Sequence, residues 1–373
     1  MGGDYRKSAV KLRKRLSGVG FAKQACRLVS LPPLFDRASL MSDFPSHPYP
    51  WQLQEWQQLS QQIAAKKLPH ALMFAGAKGI GKRHLAEALA QLLLCLSPIE
   101  GTPCGKCRGC MLNKVQNHPD LIVISPEEGA KGIKVDQVRA LIDDLGKTAQ
   151  QGGYKVVVLE PAEAMNANAA NALLKSLEEP AANTLLMLVC HSPSAVLPTI
   201  RSRCQMRLLA TPNSEQVLHW LKPLMAGSNI PVEKLMEAAG GAPLTALAYL
   251  EGDALERRDA WLLNLIRLST GQISAIEVAA QWQKDDVIAL VEWFLVWLHS
   301  LMRWQVGVEQ VLINQLPQDL RDRLGKIPPA LLHRYVEKIL VSKRQLLGSS
   351  NPNKQLLLEE VLLDWGALLR AAK

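Results

Sequence analysis

The sequence predicts a parallel, helix-covered sheet over its first half and helices alone over its second. Three observations predict it. A short apolar run, HALMFAG (70–76), enters a glycine-rich turn, GAKGIGKRH (76–84). Four more apolar runs alternate with helical patterns up to residue 209: DLIVIS (120–125), YKVVVLE (154–160), LLMLVC (185–190) and CQMRLL (204–209). After Ala210 no strand-like run remains. Strands rich in Val, Ile and Leu, alternating with helices, imply a parallel sheet covered on both faces.

Each element follows from its local pattern. PWQLQEWQQLSQQIAAKK (50–67) has helical spacing, and the buried strand of 70–76 then ends in glycine. A helix runs from Lys82 to Leu94, and further helices are predicted over 134–150 and 165–179. TPNSEQVLHWLKPLM (211–225) opens with capping residues. VEKLMEAAGG (232–241) and APLTALAYLEG (242–252) continue a small helical unit, and 254–373 is helical throughout. There Trp293, Trp297, Leu301 and Trp304 fall on one helical stripe, the signature of a core-facing side.

The net charge of +9 suggests a nucleic-acid partner until it is located. Residues 1–40 hold nine Lys/Arg against two acids; of the chain's 43 basic and 34 acidic residues, 34 and 32 fall after position 40, a balance of only +2. Contact with DNA would therefore need a local patch. The basic segment 1–40 resembles a transit peptide in composition, or else derives from an upstream start codon with the natural start at Met41. Poor order is expected of it in either case. It has no apolar core of the secretory kind, and VEWFLVWLHSLM (291–302) is broken by Glu292 and His299, so a soluble, cytoplasmic protein is expected.

Four of the seven cysteines cluster in CLSPIEGTPCGKCRGC, at Cys95, Cys104, Cys107 and Cys110. Two interlocking C-x2-C steps with a fourth Cys nearby suit tetrahedral Zn²⁺, and a set with no open position suits a structural site. His118, beside Pro119, is predicted to be a loop residue, and Cys190 and Cys204 small buried side chains.

The glycine-rich turn has most of a phosphate-binding loop: Gly76, Gly81 and Lys82. A working loop continues with Ser or Thr, whose hydroxyl binds Mg²⁺; here Arg83 stands instead. Taken with the cysteine insertion, HPD (118–120), IKVDQVR (133–139), NANAANALLKSLEEP (166–180), RSRC (201–204) and NPNKQLLLEEVLLDW (351–365), this sequence resembles the AAA+ clamp-loader subunits of bacterial DNA polymerase III. The resemblance covers residues 51–204 most specifically and leaves 1–40 without a counterpart. It implies an AAA+ P-loop-like α/β domain over 41–210 with a zinc-binding insertion at 95–110, a small helical lid over 211–253 and an all-α collar over 254–373. It implies as partners gamma/tau-type ATPase subunits and a delta-type clamp opener, with primer-template DNA met through the assembled ring and the sliding clamp indirectly. It also implies that Arg203 serves as an arginine finger in a neighbour's ATP site, and that the collar's Trp and Leu stripes are the candidate contact surface to other subunits.

Four positions speak to whether this chain burns ATP itself. Arg83 replaces the metal-binding hydroxyl. Glu160 stands at the metal-side acid, but Pro161 replaces the water-activating Glu. CHSP (190–193) replaces a sensor Thr or Asn, and Leu244 replaces the lid arginine. The expectation is a subunit without hydrolysis, in which Gly76, Gly81 and Lys82 form a degenerate loop of doubtful ATP binding. Arg83 and Glu160 are expected to approach each other where the metal would sit. An ATP-binding or ATP-hydrolysing subunit is the competing enzyme reading. A zinc-loop DNA-binding module, using Lys106, Arg108 and Lys114, is the competing binding reading, to be told apart by the salt dependence of DNA binding.

Overall fold

The computed structural model describes residues 46–130, 132–151, 153–225, 228–347 and 352–371, all within one unit, Ser42–Lys373. The expectations for residues 1–40 lie outside the described residues.

The five predicted strands form one parallel sheet: β1 (Ala71–Ala75), β2 (Leu121–Ile124), β3 (Lys155–Leu159), β4 (Thr184–Cys190) and β5 (Gln205–Leu208), in the order β2-β3-β4-β1-β5. In register, Leu72 pairs with Met187 and Leu186 with Val157. Side chains alternate between faces along a strand. Leu72, Phe74, Val156, Val158 and Met187 therefore bury against α1 (Leu53–Ala64) and α2 (Lys82–Leu93). Ala71, Met73, Val157, Leu186 and Leu188 bury on the other side, against α4 (Val135–Leu145) and α5 (Ala167–Glu178). The short α3 (Arg108–Lys114) belongs to the cysteine insertion.

Two details depart from the sequence expectation. The three central strands are buried throughout, but β2 and β5 are half-exposed, with Val123, Met206 and Leu208 open to solvent. These are the two sheet edges, and an edge has a neighbour on one side only. The helix predicted over 134–150 stops at Leu145.

Beyond α6 (Pro198–Arg201) and β5, the described residues hold helices and no strand: α7 (Ser214–Leu224), α8 (Val232–Ala238), α9 (Pro243–Glu251), α10 (Ala254–Ser269), α11 (Ala275–Trp282), α12 (Val287–Gln305), α13 (Val311–Asn314), α14 (Gln318–Gly325), α15 (Pro329–Leu347) and α16 (Lys354–Ala371). Asn213 caps α7 by accepting the Gln216 N–H at 2.9 Å. Glu237 of α8 accepts the Val311 N–H at 2.6 Å and the Leu312 N–H at 3.2 Å, which ties this part of the chain to the last helices.

By length and composition α12 passes as a candidate membrane span. Its apolar side chains nevertheless line a protein core: Trp293, Phe294, Trp297 and Leu301 are buried with Trp261, Trp282, Tyr335 and Trp365. The tryptophan stripe was also expected to supply a contact surface to other subunits. That expectation is corrected: Trp293 and Trp297 are 3% and 2% exposed, and the indole of Trp365 stacks edge-on to Trp297 at 5.5 Å. An amphipathic stripe marks the side that is buried, and here the chain's own helices bury it. The exposed apolar residues of the last two helices are instead Leu340, Val341, Leu347, Leu356 and Leu363.

Candidate functional site

The loop between β1 and α2 takes the tight course its glycines allow. Gly79 and Gly81 have φ of +81° and +85°. A Cβ on Gly79 would lie 2.1 Å from Thr245 Oγ1, and one on Gly81 2.6 Å from the Tyr49 ring. Neither position accepts a side chain.

Nearly every carbonyl of this loop meets a donor from its own chain. The Lys82 ammonium donates to Gly76 O at 2.9 Å and Ala77 O at 2.5 Å. The Leu244 N–H, at the start of α9, donates to Gly79 O at 2.9 Å. Trp51 Nε1 and Gln52 Nε2 both reach Ile80 O, at 3.0 and 3.1 Å, and Gln52 also reaches Gly81 O at 2.9 Å. Tyr49 completes the cover, stacking on His84 at 3.9 Å. The loop is therefore held in shape by Lys82, by the segment before α1 and by the segment around Leu244.

The Arg83–Glu160 approach expected from the sequence is present. Arg83 Nε lies 2.6 Å from Glu87 Oε1, and Nη1 lies 3.5 Å from Glu160 Oε2. Burial pushes the Glu160 carboxyl up, and the Arg83 charge opposes that. A guanidinium thus sits between two carboxylates where a working site would place a hydroxyl and a divalent ion.

Glu163 was missed in the sequence. It accepts the His191 N–H at 2.9 Å and the Ser192 N–H at 3.2 Å, fixing the CHSP segment after β4. The only signal was an acid three residues past Glu160. Burial, with Lys82 nearby, brings His191 down to about 4, so its imidazole is neutral at pH 7. Cys190 is fully buried, and burial raises its thiol to about 12. Cys204 is half-buried and likewise raised to about 12.

Burial lowers Lys82 from 10.5 to about 8. The unfolded chain keeps this proton to higher pH than the folded one, so Lys82 makes stability rise between pH 8 and 10.5. Replacing Lys82 with Met should abolish that rise, about 3 kcal/mol. Unfolding free energies of both proteins, measured across this window, check it; parallel curves would refute it.

The four cysteines converge. Their sulfurs all lie within 4.8 Å of one another. Cys107 and Cys95 are 3.8 Å apart, Cys104 and Cys110 3.9 Å. Tetrahedral zinc with Zn–S of about 2.3 Å needs sulfurs separated by about 3.8 Å, so the donor set fits a closed metal site. Backbone N–H groups point at the sulfurs: Cys104 N at Cys95 Sγ, Cys107 N at Cys104 Sγ and Cys110 N at Cys107 Sγ, at 3.2 to 3.4 Å. N–H groups of Lys106 and Cys107 bring the Cys104 thiol down to about 6, while burial raises Cys110. His118 stands apart from this donor set. As expected it lies in a loop, between α3 and β2, where it is buried and its Nδ1 accepts the Asp120 N–H at 3.1 Å.

Arg203 follows α6, at the outer end of α5. Its Nη2 lies 2.5 Å from Glu178 Oε1, and its Nη1 reaches Thr199 O at 3.0 Å and Ser202 Oγ at 3.4 Å. It is thus brought together with α5, not with the Lys82–Arg83 cluster.

A parallel sheet in the order β2-β3-β4-β1-β5, with a glycine-rich loop leading from β1 into α2 and helices alone after β5, is a P-loop-like α/β unit joined to a helical part. Two family models match: "DNA polymerase III, delta subunit" over residues 51–213, and "DNA polymerase III, delta subunit, C terminal" over 252–367. The DNA polymerase III subunit delta' of Pseudomonas aeruginosa is 39% identical over 326 residues, which is 86% of this chain and 98% of that one. That of Escherichia coli is 30% identical, covering 84% and 94%. The tau subunit of Escherichia coli is 28% identical over 82% of this chain and 51% of its own length. The chain belongs to the delta' subunit family of DNA polymerase III.

Proposed function

We propose that this chain is a non-hydrolysing subunit of the clamp loader, supporting the loading of the sliding clamp onto primed DNA. The observation that carries the reading is the Arg83 guanidinium between Glu87 and Glu160. A tethered cation there neutralises the acid that would hold Mg²⁺, and no base follows, because Pro161 carries no carboxylate. The closure of the loop by Lys82 and Leu244 supports a site that keeps its shape without nucleotide.

In this reading the neighbours are gamma/tau-type ATPase subunits and a delta-type clamp opener, and Arg203 is presented to the ATP site of an ATPase neighbour. The exposed leucines of α15 and α16 are the candidate collar contacts, in place of the tryptophan stripe. The cysteine cluster holds a structural Zn²⁺ that fixes the insertion after α2. DNA is met through the assembled ring, as the near-neutral body of the chain suggests.

The isolated chain should show no ATP turnover above background in a steady-state assay, with or without Mg²⁺. Turnover that disappears on Lys82→Ala would overturn the reading in favour of an ATPase.

A further inference from the structure

The contact between Arg203 and Glu178 has a role beyond holding a surface charge. We infer that Glu178 is a positioning residue for Arg203: it sets the guanidinium in the orientation in which it meets a neighbour's phosphate. This inference rests on the reading of Arg203 as a finger.

Three observations carry it. First, the two residues sit on elements whose relation is fixed. Glu178 ends α5, and Arg203 lies two residues beyond α6. Ile200 of α6 and Leu173 and Leu177 of α5 are buried in the same core, at 0%, 0% and 2% exposure. The carboxylate therefore stands on a rigid base.

Second, the anchors come from one side of the donor set. A guanidinium offers five N–H donors. Thr199 O and Ser202 Oγ lie within reach of Nη1, and Glu178 of Nη2. The Nε–H and one Nη2–H then remain, enough for one bidentate contact to phosphate oxygens.

Third, a free arginine has many rotamers, whereas a group acting across an interface needs one geometry. Glu178 and the Thr199 carbonyl remove most of that freedom before the neighbour arrives. With side chains 35% and 49% exposed, the Arg203–Glu178 pair is too wet to matter much for folding. Its expected effect is on the reaction in the neighbour.

The test uses the reconstituted clamp loader with its ATPase subunits, clamp and primed DNA, and measures kcat and KM for ATP at the one site Arg203 serves, resolved from the others by single-turnover hydrolysis. Glu178→Ala and Glu178→Gln should lower kcat about threefold to tenfold, with KM unchanged because the neighbour's own loop holds ATP. Glu178→Ala added to Arg203→Ala should cause no further loss, since Glu178 acts only through that arginine. A purely structural role would lower the rate further in the double variant. If Arg203→Ala is impaired while Glu178→Ala equals or exceeds wild type, the positioning role is wrong and the finger stands. If Arg203→Ala itself behaves as wild type, the finger reading falls and takes this inference with it.

Discussion

Arg203→Ala, assembled with gamma/tau-type ATPase subunits, should, on the proposed reading of Arg203 as a finger, lower hydrolysis at one neighbouring site by about 10³–10⁵-fold, or roughly 4–7 kcal/mol of transition-state stabilisation. The reasoning is electrostatic. The transferring phosphoryl group spreads negative charge over its equatorial oxygens, and a cation delivered from the next subunit stabilises that charge where water is excluded. In the chain's own loop the cations are committed internally: Lys82 to Gly76 O and Ala77 O, Arg83 to Glu87 and Glu160. Folding of the variant should be unaffected within about 0.5 kcal/mol, since Arg203 is a surface side chain. Total ATPase of the complex should fall only by the share of that one site, so a single-turnover measurement that resolves the sites is the decisive readout. Unchanged clamp- and DNA-stimulated hydrolysis would show that Arg203 is a surface charge held by Glu178.

What the sequence made legible, and what it did not, divides along physical lines. Strands β1, β3 and β4 were readable because they are buried on both faces and so apolar without interruption. Edge β2 carries similar letters, and nothing in LIVI says that it lacks a neighbour, whereas in β5 the alternation of Gln205 and Arg207 with Met206 and Leu208 marks a half-exposed strand. The Arg83–Glu160 pair was readable because two positions that share a metal had changed to opposite charges. Glu163, Leu244 and Glu178 were not, because their parts depend on backbone groups or partners 15 or more positions away. Glu163 meets the N–H groups of His191 and Ser192, Leu244 donates its own N–H to Gly79 O, and Glu178 meets Arg203 across the turn of α6. Tertiary contacts of this kind leave no periodic signal. The tryptophan stripe shows the reverse error. The sequence identified the buried side of α12 correctly, but which helices bury it is a question of packing, and here the answer lies in α10, α11, α15 and α16 of the same chain.

The cysteine cluster carries the other large expected effect. The purified protein should contain one zinc ion per chain by elemental analysis, and Cys104→Ser combined with Cys107→Ser should remove it. Two sulfur pairs already stand at the separation a tetrahedral ion requires and all four lie within 4.8 Å, so binding needs only a modest closing of the set. Four thiols 3.8–4.8 Å apart otherwise gain little from proximity, and as thiolates without metal they would repel one another. With zinc present at about 1,000 times its dissociation constant, the ion contributes about 4 kcal/mol to the folded state, so its loss should lower the melting temperature by about 10 °C. The effect should be local. Cys95 follows α2, whose Leu89 and Leu92 are core residues, whereas Cys104, Cys107 and α3 lie in the insertion. Hydrogen exchange should therefore quicken across residues 96–114 while β1 and α2 keep their protection. Because coordination needs thiolates, zinc release should begin as pH falls. A protein without zinc that keeps the melting temperature and exchange pattern of the wild type would rule out a structural metal here.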